Sequence, residues 1–149
     1  MKSAEPTLKQ NFEGLGLPVA ASEWLCDLFA VIQLFDDVAD GGRITRDDLS
    51  RVVWASLVGM VSNSFWAANA ATLTPVIAAQ VMKWEASDLA EVAGKHDAKS
   101  FVWRAGYYDV VLMVCRIVHG AEWTAESSAL VMNMYGESYD DYMKEFEHA

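Results

Sequence analysis

Apolar residues recur at intervals of three and four along almost the whole chain, the spacing that places them on one side of an α-helix. The clearest run consists of Trp24, Leu25, Leu28, Phe29, Ile32, Phe35 and Val38. It begins just after Ser22, a residue type favoured at helix N-caps, and stops at Gly41 and Gly42. The pattern predicts a first long helix over residues 22–40. No segment alternates apolar and polar residues as a half-buried strand does.

Local signals place the other helices. Thr45 followed by Asp48 resembles a capping box and predicts a helix from Thr45 through Met60, broken at Gly59 and at Ser62 to Ser64. The remaining predicted helices are a short one over 65–71 and longer ones over 75–92, 97–120, 122–135 and 138–147, with Pro75 and Asp97 at the start of two of them. We therefore predict an all-α fold, a compact single-domain bundle of about six or seven helices.

The first 18 residues have a different character. They contain Pro6, Gly14, Gly16 and Pro18 without helical periodicity, which predicts an N-terminal arm (1–18) lying on the surface or on a partner. The rest of the chain, 19–149, is predicted to be the helical domain. The arm is polar and is not typical of a signal peptide. Together with two cysteines placed in apolar stretches, which predict reduced core thiols, this favours a cytoplasmic protein.

Composition and charge narrow the range of partners. The formal net charge of −10 argues against nucleic acid and against an anionic membrane surface. Residues 52–82 carry no charged side chain, but glycine, serine, asparagine, threonine, proline and glutamine interrupt them, so no membrane span is predicted. With 53% hydrophobic residues and six tryptophans, we expect an apolar surface patch and hence a homo-oligomer. Binding to another protein is a further expectation.

An acidic cluster stands at the end of the first predicted helix. Gln33, Asp36 or Asp37, and Asp40 lie three or four residues apart, so these side chains share one side of the helix over about two turns. Carboxylates at a helix C-terminus face the negative end of the helix dipole and repel one another. A hard divalent cation would compensate. The cluster therefore predicts a metal site for Mg²⁺ or Mn²⁺, and no other cofactor is expected. Neutralisation by Arg43, Arg46 and solvent is the alternative.

The segment from Leu34 to Gly41 resembles the aspartate-rich first motif of class I isoprenoid synthases, an all-α family in which such aspartates hold Mg²⁺ on a prenyl diphosphate. The resemblance covers about ten residues. It implies that Asp36, Asp37 and Asp40 are metal ligands and that Gln33 lines the same cavity. The nearest counterpart of that family's second metal motif is the segment Glu137 to Glu145, which lacks its asparagine.

The whole chain also resembles small uncharacterised helical proteins encoded by bacteriophages and prophages. The shared features are an apolar helix ending in Asp-Asp-x-x-Asp-Gly, the segment Asn63-Ser64-Phe65-Trp66, and a later helix rich in aromatic and acidic residues. This resemblance implies a phage or prophage origin and no particular activity.

Three further carboxylates are candidates for lining a site. Glu85 and Asp88 lie three residues apart, and with Asp37 and Asp40 they resemble the paired acidic helices of all-α nucleotide pyrophosphohydrolases; a solvated helix face is the alternative. Asp109 interrupts an apolar stretch, so it must be paired, protonated, metal-bound or at a cavity wall. Arg104 and Arg116 are not one turn away, so a partner from another helix is expected.

Two classes of function remain open from the sequence, and whether the protein is an enzyme is not decided. The first is a phage-like, non-enzymatic interaction or assembly module whose acidic cluster is structural. The second is a divalent-metal-dependent enzyme acting on a diphosphate-containing substrate, similar to an isoprenoid synthase or a nucleotide pyrophosphohydrolase. Catalytic residues are not assigned.

Overall fold

The computed structural model describes the backbone of residues 4–147 and the side chains of residues 8–147. This part of the chain forms eight helices and contains no strand, which confirms the all-α prediction and adds one helix to it. The helices are α1 (Ala4–Gly14), α2 (Val19–Ala39), α3 (46–62), α4 (Ser64–Val92), α5 (Ala98–Trp103), α6 (Tyr107–His119), α7 (Ala121–Met132) and α8 (Tyr139–Lys144). Across the described residues, no helix is both long and apolar enough to cross a membrane.

The chain divides into two compact units, Met1–Ala70 and Ala71–Ala149. The first unit is built from α1, α2 and α3 and the start of α4, and the second from the rest of α4 and the four following helices. The single helical domain predicted for residues 19–149 stays a prediction.

Residues Ala4–Gly14 are helical although no helical periodicity was recognised there, whereas the assignment of residues 1–18 as an N-terminal arm stays a prediction. Leu8 and Phe12 in α1 and Leu15 directly after it are buried at helical spacing, and α1 packs against α2. This short amphipathic pattern was masked by the glycines and prolines around it. Burial of three large apolar side chains stabilises the helix despite its low intrinsic propensity.

The long helix α2 begins earlier than predicted. Pro18 is its N-cap, in an extended conformation, and the Ser22 backbone N–H donates to the Pro18 carbonyl at 3.0 Å. Ser22 is therefore buried one turn inside the helix, and its assignment as the N-cap is wrong. The C-terminal end is as predicted: α2 ends at Ala39 and is followed by Gly41, whose φ of 73° is readily accessible only to glycine.

Helix α3 follows the predicted course, except that the predicted break at Gly59 is wrong, because the helix continues through this residue to Ser62. The Thr45 side chain accepts a hydrogen bond from the Asp48 N–H at 3.0 Å, the expected N-cap interaction. Within the helix, Ala55–Gly59 form one π-helical turn. At this turn a Cβ on Gly59 would lie 2.9 Å from Asp27 Oδ2, so a larger residue would require the Asp27 side chain to move.

Asn63 separates α3 from α4 and links them to α2. Its side-chain amide donates to the Ala20 carbonyl at 2.9 Å, and its side-chain oxygen accepts from the Trp66 N–H at 3.1 Å. Trp66 in turn stacks on the buried Trp24, with ring centroids 5.4 Å apart. The Asn-Ser-Phe-Trp segment noted in the sequence thus has a structural role in the first unit.

Helix α4 runs without a break through Pro75, so the two helices predicted over 65–71 and 75–92 are one. Proline removes one backbone hydrogen bond and crowds the preceding turn. The flanking Leu73 is fully buried and Gln80 nearly so, and this packing outweighs the local cost.

The predicted helix over 97–120 is instead two helices, α5 and α6, separated by a turn at Arg104–Gly106. Its start is as predicted, since the Asp97 side chain accepts from the Lys99 and Ser100 N–H groups in a capping box. In α6 the side chains of Val110, Val111 and Val114 are fully buried, and α6 packs against α7. These contacts form the core of the second unit.

Candidate functional site

One face of α2 forms the wall of a pocket of about 240 Å³ in the first unit. The side chains on this wall follow helical spacing and are Cys26, Phe29, Ala30, Gln33, Leu34 and Asp37. The opposite wall comes from the connection after α2 and from the first turns of α3, with Arg43, Ile44, Asp48, Arg51 and Val52. The pocket therefore combines an apolar lining with an amide, two carboxylates and two guanidinium groups.

The turn after α2 brings the second wall into place. The Gly42 N–H donates to the Asp37 carbonyl at 2.7 Å, and the Gly41 N–H donates to the Val38 carbonyl at 3.1 Å. This arrangement is typical of a helix C-terminus closed by a glycine with positive φ. Arg43 and Ile44 follow this turn and line the pocket together with the residues of α2.

Two of the four charged side chains of the pocket pair with each other. Arg51 Nη2 lies 3.0 Å from Asp48 Oδ1, one turn away on α3. Neither Arg43 nor Asp37 belongs to an ion pair within residues 8–147. The pocket thus presents one positive and one negative group that are available to a ligand.

The structure distributes the predicted metal residues unequally. Gln33 and Asp37 lie in the pocket, as expected from their spacing, whereas Asp36 and Asp40 are not part of its lining. Asp36 and Asp37 are half-buried and Asp40 is exposed. The last turn of α2 itself contains no basic residue. Among the described residues, no three histidine, cysteine or acidic side chains converge as a metal-binding group.

The other candidate carboxylates belong to the second unit. Asp109 Oδ2 accepts a hydrogen bond from Lys83 Nζ at 2.6 Å, so it is paired with a base on another helix, as expected. Glu85 is exposed and Asp88 half-buried, and neither forms an ion pair with any described residue. A role of these three residues in a site stays a prediction.

A cluster that the sequence did not predict surrounds Arg104 in the second unit. Its Nη1 atom lies 3.8 Å from Glu91, 3.6 Å from Glu137 and 3.5 Å from Glu145. The guanidinium group also lies over the Tyr142 ring, 4.9 Å from its centre. Glu137 and Glu145 are the ends of the segment compared with a second metal motif, and here they pair with an arginine.

Tyr142 connects this cluster to the core. It is fully buried, and its hydroxyl lies 2.6 Å from Ser100 Oγ and donates to Glu91 Oε2 at 3.1 Å. Burial raises the pKa of Tyr142 to about 12, so the hydroxyl stays protonated at neutral pH. Phe101 and Phe146 contact the same ring. The cluster thereby holds the C-terminal helix α8 on the second unit.

Three carboxylates surround one arginine in this cluster, and the pKa values of both Arg104 and Glu145 are raised. Burial alone would lower the pKa of Arg104, but the charges of Glu137 and Glu91 outweigh it and raise that pKa. Burial, and then the hydrogen bond with Glu137, raises the pKa of Glu145. Arg104 is therefore strongly held in its charged form, and Glu145 is more easily protonated than an ordinary glutamate because its pKa is raised.

A separate feature of the first unit is an exposed apolar face on α3, here called the α3 face. It consists of Leu49, Val53, Trp54, Leu57, Val58 and Val61, which follow one side of the helix. Trp54 is 66% exposed and Leu57 69% exposed. Their combined exposed area is roughly 600 Å², the upper end of what the largest patch on a typical monomer shows.

Comparison of the chain with protein-family models, with curated proteins and with solved structures finds no match. The resemblances to phage proteins, isoprenoid synthases and nucleotide pyrophosphohydrolases therefore stay predictions from the sequence.

Proposed function

We propose that this protein is a non-enzymatic interaction module that assembles with a second copy of itself through the α3 face. The observation that carries the proposal is the exposure of six large apolar side chains in one stripe along α3. Two such faces would bury roughly 1,200 Å² in total, the lower end of the range for specific protein interfaces.

The charge distribution supports pairing between copies. The chain carries a formal net charge of −10, but no charged side chain occurs between residues 52 and 82, which include most of the α3 face. In an antiparallel two-fold arrangement, Asp47 and Asp48 at the start of one helix would meet the uncharged end of the other. Association would therefore bury apolar area without bringing carboxylates together.

The substitution Leu57→Glu tests this assembly. It places a charge at the centre of the α3 face, where a two-fold axis would bring it close to its own copy. We expect the wild-type protein to sediment as a dimer at about 10 μM, a concentration sufficient for a micromolar dissociation constant, and the variant as a monomer.

Leu89→Glu is the matched control, since Leu89 is 70% exposed and lies on α4 outside the α3 face. This variant should remain dimeric. A monomeric wild-type protein, or equal loss of the dimer in both variants, would contradict the proposal.

A divalent-metal site that serves diphosphate chemistry is the second candidate. It is favoured by the presence of Gln33 and Asp37 in one pocket with Arg43 and Arg51, since arginines bind phosphate oxygens well. Asp37, with Asp36 and Asp40 beside it on α2, would hold Mg²⁺ or Mn²⁺. This reading takes its chemistry from the sequence resemblance to isoprenoid synthases and pyrophosphohydrolases.

Thermal denaturation with and without millimolar Mg²⁺ tests the metal site. A cation at a hundred times its dissociation constant stabilises the fold by about 2.7 kcal/mol, enough to raise the melting temperature by several degrees. The Asp36→Asn/Asp40→Asn variant should be no less stable without metal, because repulsion is relieved, and should lose the response. Equal responses of both proteins, or none beyond that to sodium chloride, would exclude a specific site at the cluster.

A further inference from the structure

The volume and the apolar lining of the pocket between α2 and α3 play no part in the proposed assembly or in the proposed metal site. Its volume of about 240 Å³ lies below that of typical drug-sized sites and suits a molecule of some ten heavy atoms. Phe29, Leu34, Ile44 and Val52 supply an apolar lining. A ligand that fits must therefore have a small apolar body.

The charged groups of the pocket restrict the chemical class of the ligand further. Asp48 and Arg51 pair with each other at 3.0 Å, which leaves Asp37 and Arg43 as charges of opposite sign that form no ion pair within residues 8–147. A purely anionic ligand would meet the Asp37 carboxylate without compensation, and a purely cationic one would meet the Arg43 guanidinium. A zwitterion satisfies both groups at once.

We propose that this pocket binds a free α-amino acid with a branched apolar side chain. Arg43 would bind the α-carboxylate through paired N–H···O hydrogen bonds, and Asp37 would accept hydrogen bonds from the α-ammonium group. The side chain would pack against Phe29, Leu34 and Val52. The Gln33 amide, on the same face of α2, supplies a further donor and acceptor for the polar end.

Cys26 provides a reporter inside this pocket. Its thiol belongs to the pocket lining, whereas Cys115 is fully buried in the second unit and its pKa is raised to about 11 by burial. Iodoacetamide reacts with thiolates, so the native protein should be modified at Cys26 and spared at Cys115. The rate of Cys26 modification, followed by mass spectrometry, then measures access to the pocket.

The probe is L-leucine, tested on the full-length protein. With a dissociation constant of about 1 mM, about 10 mM leucine should slow the modification of Cys26 roughly tenfold. The analogue 4-methylpentanoate lacks the ammonium group and 3-methylbutylamine lacks the carboxylate. Each should slow the reaction less than about twofold, because each leaves one charged group of the pocket unpaired.

Variants separate binding from folding. Arg43→Gln and Asp37→Asn should each abolish protection by leucine, measured as the ratio of the modification rates of the same variant without and with leucine, while leaving the circular dichroism spectrum unchanged; the ratio is used because the loss of a nearby charge also changes the reactivity of the Cys26 thiol. Arg46→Gln, which changes an exposed arginine outside the pocket, should retain protection. Protection of less than about twofold by leucine in the wild-type protein would overturn the proposal.

Two other results would also overturn it. Equal protection by leucine and 4-methylpentanoate would show that the ammonium group is not recognised. Protection by Mg²⁺ with pyrophosphate in place of leucine would assign the pocket to the metal and diphosphate chemistry instead. None of these outcomes depends on whether the protein dimerises through the α3 face, which the Leu57→Glu variant tests. The assembly proposal and the amino-acid proposal can therefore fail independently.

Discussion

Replacement of Arg104 by glutamine is expected to lower the free energy of unfolding by about 3 kcal/mol, close to the lower end of the cost of breaking a buried ion pair. Arg104 has 18% of its side chain exposed, and it is the positive group within 4 Å of Glu91, Glu137 and Glu145. Without it, partly buried carboxylates lose their counter-charge and the Tyr142 ring loses its cation contact. Urea denaturation followed by circular dichroism measures the loss.

The loss of stability caused by Arg104→Gln should depend on pH. Carboxylates that lack a positive partner are less costly when protonated, so the difference in stability between wild type and Arg104→Gln should shrink as the pH falls from 7 towards 5. A difference that stays constant over this range would contradict an electrostatic role for Arg104.

Glu145→Gln is the control within the cluster. The pKa of Glu145 is raised in the folded state, so its contribution to stability falls as the pH rises through that pKa, and its ionised form opposes folding at neutral pH. Removing this charge should leave the melting temperature at pH 7 unchanged or slightly higher. A loss as large as that of Arg104→Gln would show that packing, and not charge, holds the cluster together.

Replacement of Trp24 by alanine is the other change with a large expected effect, about 3–5 kcal/mol of unfolding free energy, the usual cost of deleting a buried tryptophan side chain. Trp24 is 0% exposed and stacks on Trp66 with an interplanar angle of 8°. Its loss would leave a cavity between α2 and the start of α4. Chemical denaturation measures the effect, and a loss below about 1 kcal/mol would contradict the packing of Trp24.

Trp24→Phe is the matched control, because it keeps an aromatic ring and removes the indole N–H. The Trp24 Nε1 atom is buried and meets no acceptor among the described residues, so no hydrogen bond is lost. We expect a loss well below that of alanine. Combining Trp24→Ala with Trp66→Ala should give less than the sum of the two single losses, since both variants remove the same stacking contact.

Interactions within one helical turn could be predicted from the sequence. Thr45 caps α3 through the Asp48 N–H, and Asp97 caps α5 together with Ser100. Gly41 closes α2 because its backbone conformation follows from glycine itself. Gln33 and Asp37 share a wall of the pocket for the same reason, since their spacing on one helix places them on one face.

Features that depend on packing between elements could not be predicted in this way. Pro75 does not end its helix, because burial of Leu73 and Gln80 outweighs the local penalty of the proline. Helix α1 forms because Leu8, Phe12 and Leu15 are buried and α2 lies next to it. The local rules predicted a break in the first case and no helix in the second.

The tertiary structure determines which charged groups come together in the pocket of the first unit and around Arg104 in the second unit. Arg43 and Arg51 line the same pocket as Asp37 because the chain after α2 and the first turns of α3 form its second wall, and Arg104 meets carboxylates from residues as far away as Glu91 and Glu145. Helical periodicity is a property of neighbours along the chain, so it determines which face a side chain occupies. Which faces meet depends on the free energy of packing whole helices together, and that sum is not contained in any one segment of the sequence.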